Sequence, residues 1–211
     1  GDYELIGRLE LDALLAIGLT PSSNLLDFGC GDGRLAVHVI PFLRGGGRYV
    51  GVDVSTTFLE EASRRVKSLG PLDGVTVTFR QQSTPAFDLP PQSVDVACAF
   101  SVFTHLEHED MHRYLVGLRR VVKPGGTLVV SVLPLDLEVA QQVFLSQAAL
   151  DLRSRWKAPR NVTTSREMVE TIARLAGWTT TQWLPGNEPH IIGPDGQPRR
   201  FGQTIAVLRP A

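Results

Sequence analysis

The chain has little cysteine, two residues in 211, and neither belongs to a disulfide framework. Cys30 lies in a glycine-rich turn and Cys98 inside an apolar run, so both read as small buried thiols of a reducing compartment. An excess of one charge is also missing, since 21 Lys and Arg stand against 22 Asp and Glu for a net charge of −1. No global field draws the molecule to nucleic acid or to an anionic membrane, and neither is expected as a partner. Apolar runs long enough to span a bilayer are lacking, as is the pattern of a signal peptide, so a cytoplasmic protein is expected. Repeats and low-complexity tracts are absent too. What remains is an ordinary globular composition, 43% hydrophobic and 20% charged, at the length of one α/β domain.

Against that background one stretch stands out: Leu25-Leu26-Asp27-Phe28-Gly29-Cys30-Gly31-Asp32-Gly33-Arg34, followed by Leu35-Ala36-Val37. An apolar segment ends in an acid, three alternate glycines follow, and a helical pattern begins. This is a strand, a tight turn and a helix N-terminus. The glycines permit positive φ and let a ligand approach main-chain N–H groups that a Cβ would shield. A dinucleotide fingerprint needs its third glycine three places after the second, where Arg34 stands instead. Asp27 at the mouth would repel a pyrophosphate and attract an ammonium or sulfonium.

The rest of the chain alternates helix and strand. A first helix over Tyr3 to Leu19 stops near Gly18, and a second runs from Arg34 to Ile40, ended by Pro41. Strands are read at Arg48 to Asp53, Val75 to Phe79, Val94 to Phe100, Thr127 to Leu133, Trp178 to Leu184 and Gln203 to Leu208. Between them lie helices over Thr57 to Leu69, Met111 to Val122, Asp136 to Trp156, and from Thr164 to Gly177. Asp53 closes the second strand 24 residues after Gly29. A carboxylate there, about 20 residues past such a turn, accepts from both hydroxyls of a ribose, although an Asp at this place also serves as a helix cap.

The acid-x-Gly-x-Gly-x-Gly motif of Asp27 to Gly33 resembles the first motif of the class I S-adenosylmethionine-dependent methyltransferases. Leu118-Arg119-Arg120-Val121-Val122-Lys123-Pro124-Gly125-Gly126-Thr127-Leu128 resembles that family's helix, Pro-Gly-Gly turn and strand, and Ser101-Val102-Phe103-Thr104-His105-Leu106 resembles the end of its fourth strand. The resemblance covers nearly the whole chain after Thr20. It implies a doubly wound, Rossmann-like α/β sandwich, with a seven-stranded and mostly parallel sheet whose last strand is antiparallel. It implies one methyltransferase domain over 1–211, with an opening helix in 1–20 and residues 134–165 as a cap or lid on the substrate side.

The implied activity is methyl transfer from S-adenosyl-L-methionine to a small molecule. The Asn/Asp-Pro-Pro-Tyr tetrad of methylases acting on adenine amines and glutamine amides is absent, and oxygen acceptors are slightly favoured. Asp27, Gly29, Cys30, Gly31 and Gly33 are expected to hold the methionyl part, and Asp53 with Val54 the ribose side. Phe100 with Ser101 would form the floor beneath the sulfonium. Where the family places an acid at the adenine amino group this chain has Ser83, so Ser83 with Thr84 is expected at the adenine edge. Phe103 is a candidate contact to the acceptor.

His105, just past the fourth strand, is the candidate base for an acceptor hydroxyl; the other reading has it fixing the start of the next helix by hydrogen bonds. Trp183, His190, Arg199, Arg200 and Phe201, from the hairpin joining the last two strands, stand at the same sheet edge as the glycine turn. With Arg153, Arg155, Trp156, Lys157 and Arg160 they would suit an acceptor carrying a carboxylate or phosphate, or else are solvated charges. His108-Glu109-Asp110-Met111-His112 satisfies the H-E-x-x-H zinc pattern but starts a polar helix, and no metal is expected. Two rivals stay open. A non-catalytic S-adenosylmethionine-binding subunit would keep the cradle, and an NAD(P)-dependent oxidoreductase would use the same sheet without its glycine spacing or a Tyr-x-x-x-Lys pair.

Overall fold

A computed structural model describes residues 3–157, 160–189, 191–192 and 195–211. Helix α1 (Tyr3–Ala16) leads into β1 (Asn24–Phe28), then α2 (Ala36–Phe42), β2 (Arg48–Asp53), α3 (Thr56–Lys67), β3 (Thr76–Gln81) and β4 (Val94–Ala99). The chain continues through α4 (His108–Val121), β5 (Val122–Val132), α5 (Glu138–Ala148), α6 (Leu152–Lys157), α7 (Arg166–Leu175) and β6 (Trp178–Leu184). It ends with the short pair β7 (Ile191–Ile192) and β8 (Pro198–Arg199), and then β9 (Thr204–Pro210).

Seven strands form one sheet in the order β3-β2-β1-β4-β5-β9-β6, and β9 alone runs antiparallel to its neighbours. Each strand sends alternate side chains to opposite faces, and both faces are covered. On one, Leu26, Val50, Ala97, Leu128 and Val130 pack against Met111, Leu115 and Leu118 of α4 and Val169 and Ile172 of α7. On the other, Leu25, Tyr49, Val96, Cys98 and Val129 meet Leu11 and Leu14 of α1 and Val39 and Ile40 of α2. Fully burying one such side chain is worth about 1.5–3 kcal/mol, so the two clusters hold the helices to the sheet. The Trp178 indole N–H donates to the Leu115 carbonyl at 2.9 Å and ties β6 to α4.

Local differences from the sequence reading have identifiable causes. The cap of α3 is Ser55, whose hydroxyl accepts from the Phe58 N–H at 3.3 Å, two residues before the expected box. Pro41 lies inside the last turn of α2. The long helix expected over 136–156 is two helices, because the Asp151 carboxylate accepts from the N–H groups of Arg153 and Ser154 at 3.0 and 3.1 Å and starts a new one. Neighbours β2 and β4 flank β1, so the chain's direction of winding reverses there and leaves a crevice at the strands' carboxyl ends.

Candidate functional site

That crevice is a cavity of about 430 Å³. Of the expected site residues, Asp27, Gly29, Cys30, Gly31, Asp53, Val54, Phe100, Ser101 and His105 line it together. The glycine turn is shaped from behind by β2: the N–H groups of Gly29 and Cys30 donate to the Val52 carbonyl at 2.8 and 3.0 Å. Gly29, Gly31 and Gly33 all have positive φ, but for different reasons. A Cβ on Gly29 would lie 2.3 Å from Val102 Cγ2, and one on Gly33 would lie 3.0 Å from Ala62 Cα. A Cβ on Gly31 would meet nothing within 4 Å. Two glycines therefore serve packing, and the middle one keeps the cradle open. Gly33 is absent from the cavity wall.

Asp53 closes the site at the end of β2. Its Oδ2 accepts from the Gly31 N–H at 3.0 Å and its Oδ1 from the Ser55 N–H at 2.9 Å. A carboxylate has about four lone-pair sites, so two remain for a ligand. Asp27 is nearly sealed, with Oδ2 accepting from the Tyr49 hydroxyl at 2.7 Å and Oδ1 facing the Cys98 thiol at 3.6 Å. Burial pushes its carboxyl up to about 6, against the pull of those two hydrogen bonds and of Arg34.

His105 is exposed on the cavity rim, its Nδ1 at 2.6 Å from the Arg160 carbonyl. A carbonyl only accepts, so Nδ1 carries a proton, and in the neutral ring Nε2 then holds the lone pair. His108 meets the Thr164 hydroxyl at 3.2 Å.

Other expected residues lie elsewhere. Ser83 and Thr84 are exposed in the loop after β3, where the buried Gln82 folds its amide back onto Thr84 and the Ala86 carbonyl, and neither lines the cavity. Phe103 is 1% exposed and belongs to the core with Met111 and Leu115. Trp183 donates its indole N–H to Glu170 of α7 at 2.7 Å and does not line the cavity. Arg199 pairs with Asp195 at 2.7 Å, Arg200 is exposed, and His190 lies outside the described residues. The hairpin nevertheless reaches the site edge through Phe201, whose ring centroid stands 5.5 Å from that of Phe100. Arg153, Arg155, Trp156 and Lys157 are all exposed and none lines the cavity.

Several lining residues escaped the sequence reading. Glu10 of α1 is buried and pairs with Arg34, which pins α1 across the glycine turn; burial raises its carboxyl to about 7 despite the guanidinium. Its signal was an acid inside the apolar run Leu9-Glu10-Leu11. Phe58, Leu106 and Tyr114 give the cavity an apolar side. Ser101 holds φ +57, and its N–H donates to the fully buried Ser131 Oγ at 2.7 Å. Ser131 in turn donates to Gln203 Oε1 at 2.6 Å, and Gln203 Nε2 donates to Ser101 Oγ at 3.1 Å. No sequence pattern marks Gln203, since its two partners come from the ends of two other strands.

Residues 26–128 match a family model described as a methyltransferase domain. An uncharacterized 37.1 kDa protein in transposon TN4556 of Streptomyces fradiae is 34% identical over 119 residues, which cover 56% of this chain and 32% of that protein. A ubiquinone biosynthesis O-methyltransferase of Bradyrhizobium sp. (strain ORS 278) is 32% identical over 110 residues, 52% of this chain and 40% of that one. The chain thus matches less than half the length of either relative. Among solved structures, magnesium protoporphyrin IX methyltransferase (ChlM) from Synechocystis PCC 6803, with bound SAH, superposes with a TM-score of 0.70 at 17% identity. That likeness covers 99% of this chain and 86% of the other, and it establishes the fold.

Proposed function

We propose that this chain, whose residues 26–128 match a methyltransferase-domain model, is a class I S-adenosylmethionine-dependent methyltransferase that methylates a small molecule, with a hydroxyl oxygen as the favoured acceptor. The observation that carries this reading is the cradle at Gly31. A backbone turn open where a Cβ would project stands opposite a carboxylate with two spare acceptor sites. Those residues fit the cofactor. Asp53 takes the ribose hydroxyls, the glycine turn takes the methionyl part, and Val54, Phe58, Leu106 and Tyr114 offer apolar walls to the base. Ser83 and Thr84 would need the loop after β3 to move inward before reaching the adenine edge.

Bound S-adenosylmethionine supplies a methyl group already activated by its sulfonium. The protein's part is alignment and exclusion of water, effects that contribute up to about 7–11 kcal/mol in well-oriented reactions. Asp27 places negative charge behind the turn, Ser101 fixes the end of β4, and His105 Nε2 takes a proton from the acceptor hydroxyl. Residues 134–165 act as the cap on the acceptor side, and the buried free thiols Cys30 and Cys98 suit a reducing cytoplasm.

Calorimetry against S-adenosylmethionine, its demethylated product and NAD tests the cofactor, and a methyl-release screen over hydroxylated small molecules tests the reaction. Binding of the first two without NAD, together with turnover of an oxygen acceptor, is expected. NAD binding alone would overturn the reading, and cofactor binding without turnover of any acceptor would make the chain a non-catalytic subunit.

Asp27 adds a dependence on pH. Its protonated form gives no attraction to the cationic ligand, so affinity for S-adenosylmethionine should rise from pH 5 to 7 and level off above the raised pKa of about 6. Stability of the free protein runs the other way. A carboxyl whose folded value exceeds its ordinary 3.8 contributes stability that is complete below pH 4 and lost as the pH rises through 6. Asp27→Asn should remove Asp27's part of both profiles and leave the part due to Glu10, raised to about 7, read by titration calorimetry and thermal unfolding.

A further inference from the structure

Helix α6 is exposed along its whole length. None of its six residues is buried, and a free helix of that length is marginal in water. Leu152 and Trp156, one turn apart, are 73% and 71% exposed. Interleaved with them are Arg153, Arg155 and Lys157, none of which has an ion pair among the described residues. The apolar surface continues into Leu150 and, at the end of α5, Phe144 and Leu145. Of 13 exposed large hydrophobic side chains, 7 fall within residues 135–156, far more than an even spread over the surface would place there. Residues 152–166 hold five cations and no acid, two of them neutralised: Arg160 by Glu107 and Arg166 by Asp136.

We propose that α6 and the end of α5 dock on an anionic lipid membrane, lying in its headgroup region. Leucine, phenylalanine and tryptophan interleaved with cations satisfy both layers of such a surface, acyl boundary and phosphate. Nucleic acid would answer the cations and leave Phe144, Leu145 and Leu152 in water. A second copy across a two-fold axis would set three unpaired cations against their own images. The net charge of −1 argues against attraction at a distance, but at physiological salt the field of a patch reaches only about 8 Å, so the local charge decides. The patch adjoins the cavity, because Arg160 lies 4.3 Å over the Trp156 ring while its carbonyl accepts from His105. The docking inference stands whether or not that cavity transfers methyl groups.

The test is co-sedimentation of the 211-residue chain with vesicles of phosphatidylcholine alone or with about one third phosphatidylglycerol. Binding to the anionic vesicles only, weakening as salt rises, is expected, with a blue shift of Trp156 fluorescence. Arg153→Gln/Arg155→Gln/Lys157→Gln and Leu152→Gln/Trp156→Gln should each lower partitioning at least about tenfold. Both sets lie on exposed positions, so unchanged thermal midpoints verify the fold. No vesicle binding, or binding that both variants keep, overturns the proposal. So does a dimer by light scattering that Leu152→Gln/Trp156→Gln dissolves, or capture of a single-stranded oligonucleotide in preference to vesicles.

Discussion

Gly31→Val is expected to abolish binding of S-adenosylmethionine while the protein stays folded. The valine Cβ would project where nothing stands within 4 Å, on the wall of the cavity, so the side chain enters space the ligand needs. Its φ of +54 is costly for a branched residue, about 1–2 kcal/mol, which lowers the thermal midpoint by several degrees without unfolding the chain. Calorimetry should show a loss of at least about a hundredfold, equivalent to about 2.7 kcal/mol of binding. Gly29→Ala gives the contrast. Its methyl would lie 2.3 Å from Val102 Cγ2, so it forces the turn away from the segment that follows β4 and destabilises the free protein. A Gly31→Val protein that still binds the cofactor normally would remove the glycine turn from the site.

What could be read in the sequence divides along a physical line. Periodicity and punctuation reveal elements whose folding is local or fully buried, so the succession of strands and helices along the chain was legible, while the seven-stranded sheet with its antiparallel last strand was implied by the family resemblance. Trp178–Leu184 is the strand read at those residues, and the seven-stranded sheet is present. The cavity wall was legible where one short segment makes it, as in Asp27 to Gly31, or where a strand end marks it, as at Asp53. It was not legible where distant segments meet. Gln203 reaches Ser101 and Ser131 across 102 and 72 residues, and Glu10 reaches Arg34 only because α1 folds over the turn. Trp183 and Arg199 were placed from the correct sheet edge, but direction along a strand does not say which face a side chain takes. Trp183 turns to Glu170 and Arg199 to Asp195. The α5–α6 break was hidden because Asp151 fits a continuous helical pattern as readily as it starts a second helix.

Asp53→Ala is expected to weaken S-adenosylmethionine by at least about tenfold. Hydrogen bonds to a charged acceptor are worth about 1.5–3 kcal/mol each, so two ribose contacts would allow a larger loss. Two roles are mixed in that number, however. The same carboxylate holds the Gly31 N–H at 3.0 Å and the Ser55 N–H at 2.9 Å, so its removal also loosens the cradle and the start of α3. Asp53→Asn keeps one acceptor oxygen and should fall between the wild type and Asp53→Ala. A cofactor analogue lacking both ribose hydroxyls separates the roles, since the carboxylate can hold that ligand only through the loop. In the wild type the analogue should bind at least about tenfold more weakly than the natural ligand, and in Asp53→Ala the two should bind alike. The coupling energy of that cycle measures the ribose contact alone. Were Asp53→Ala to weaken both ligands by the same factor, the carboxylate would be an anchor of the glycine turn and the ribose would be held by other groups.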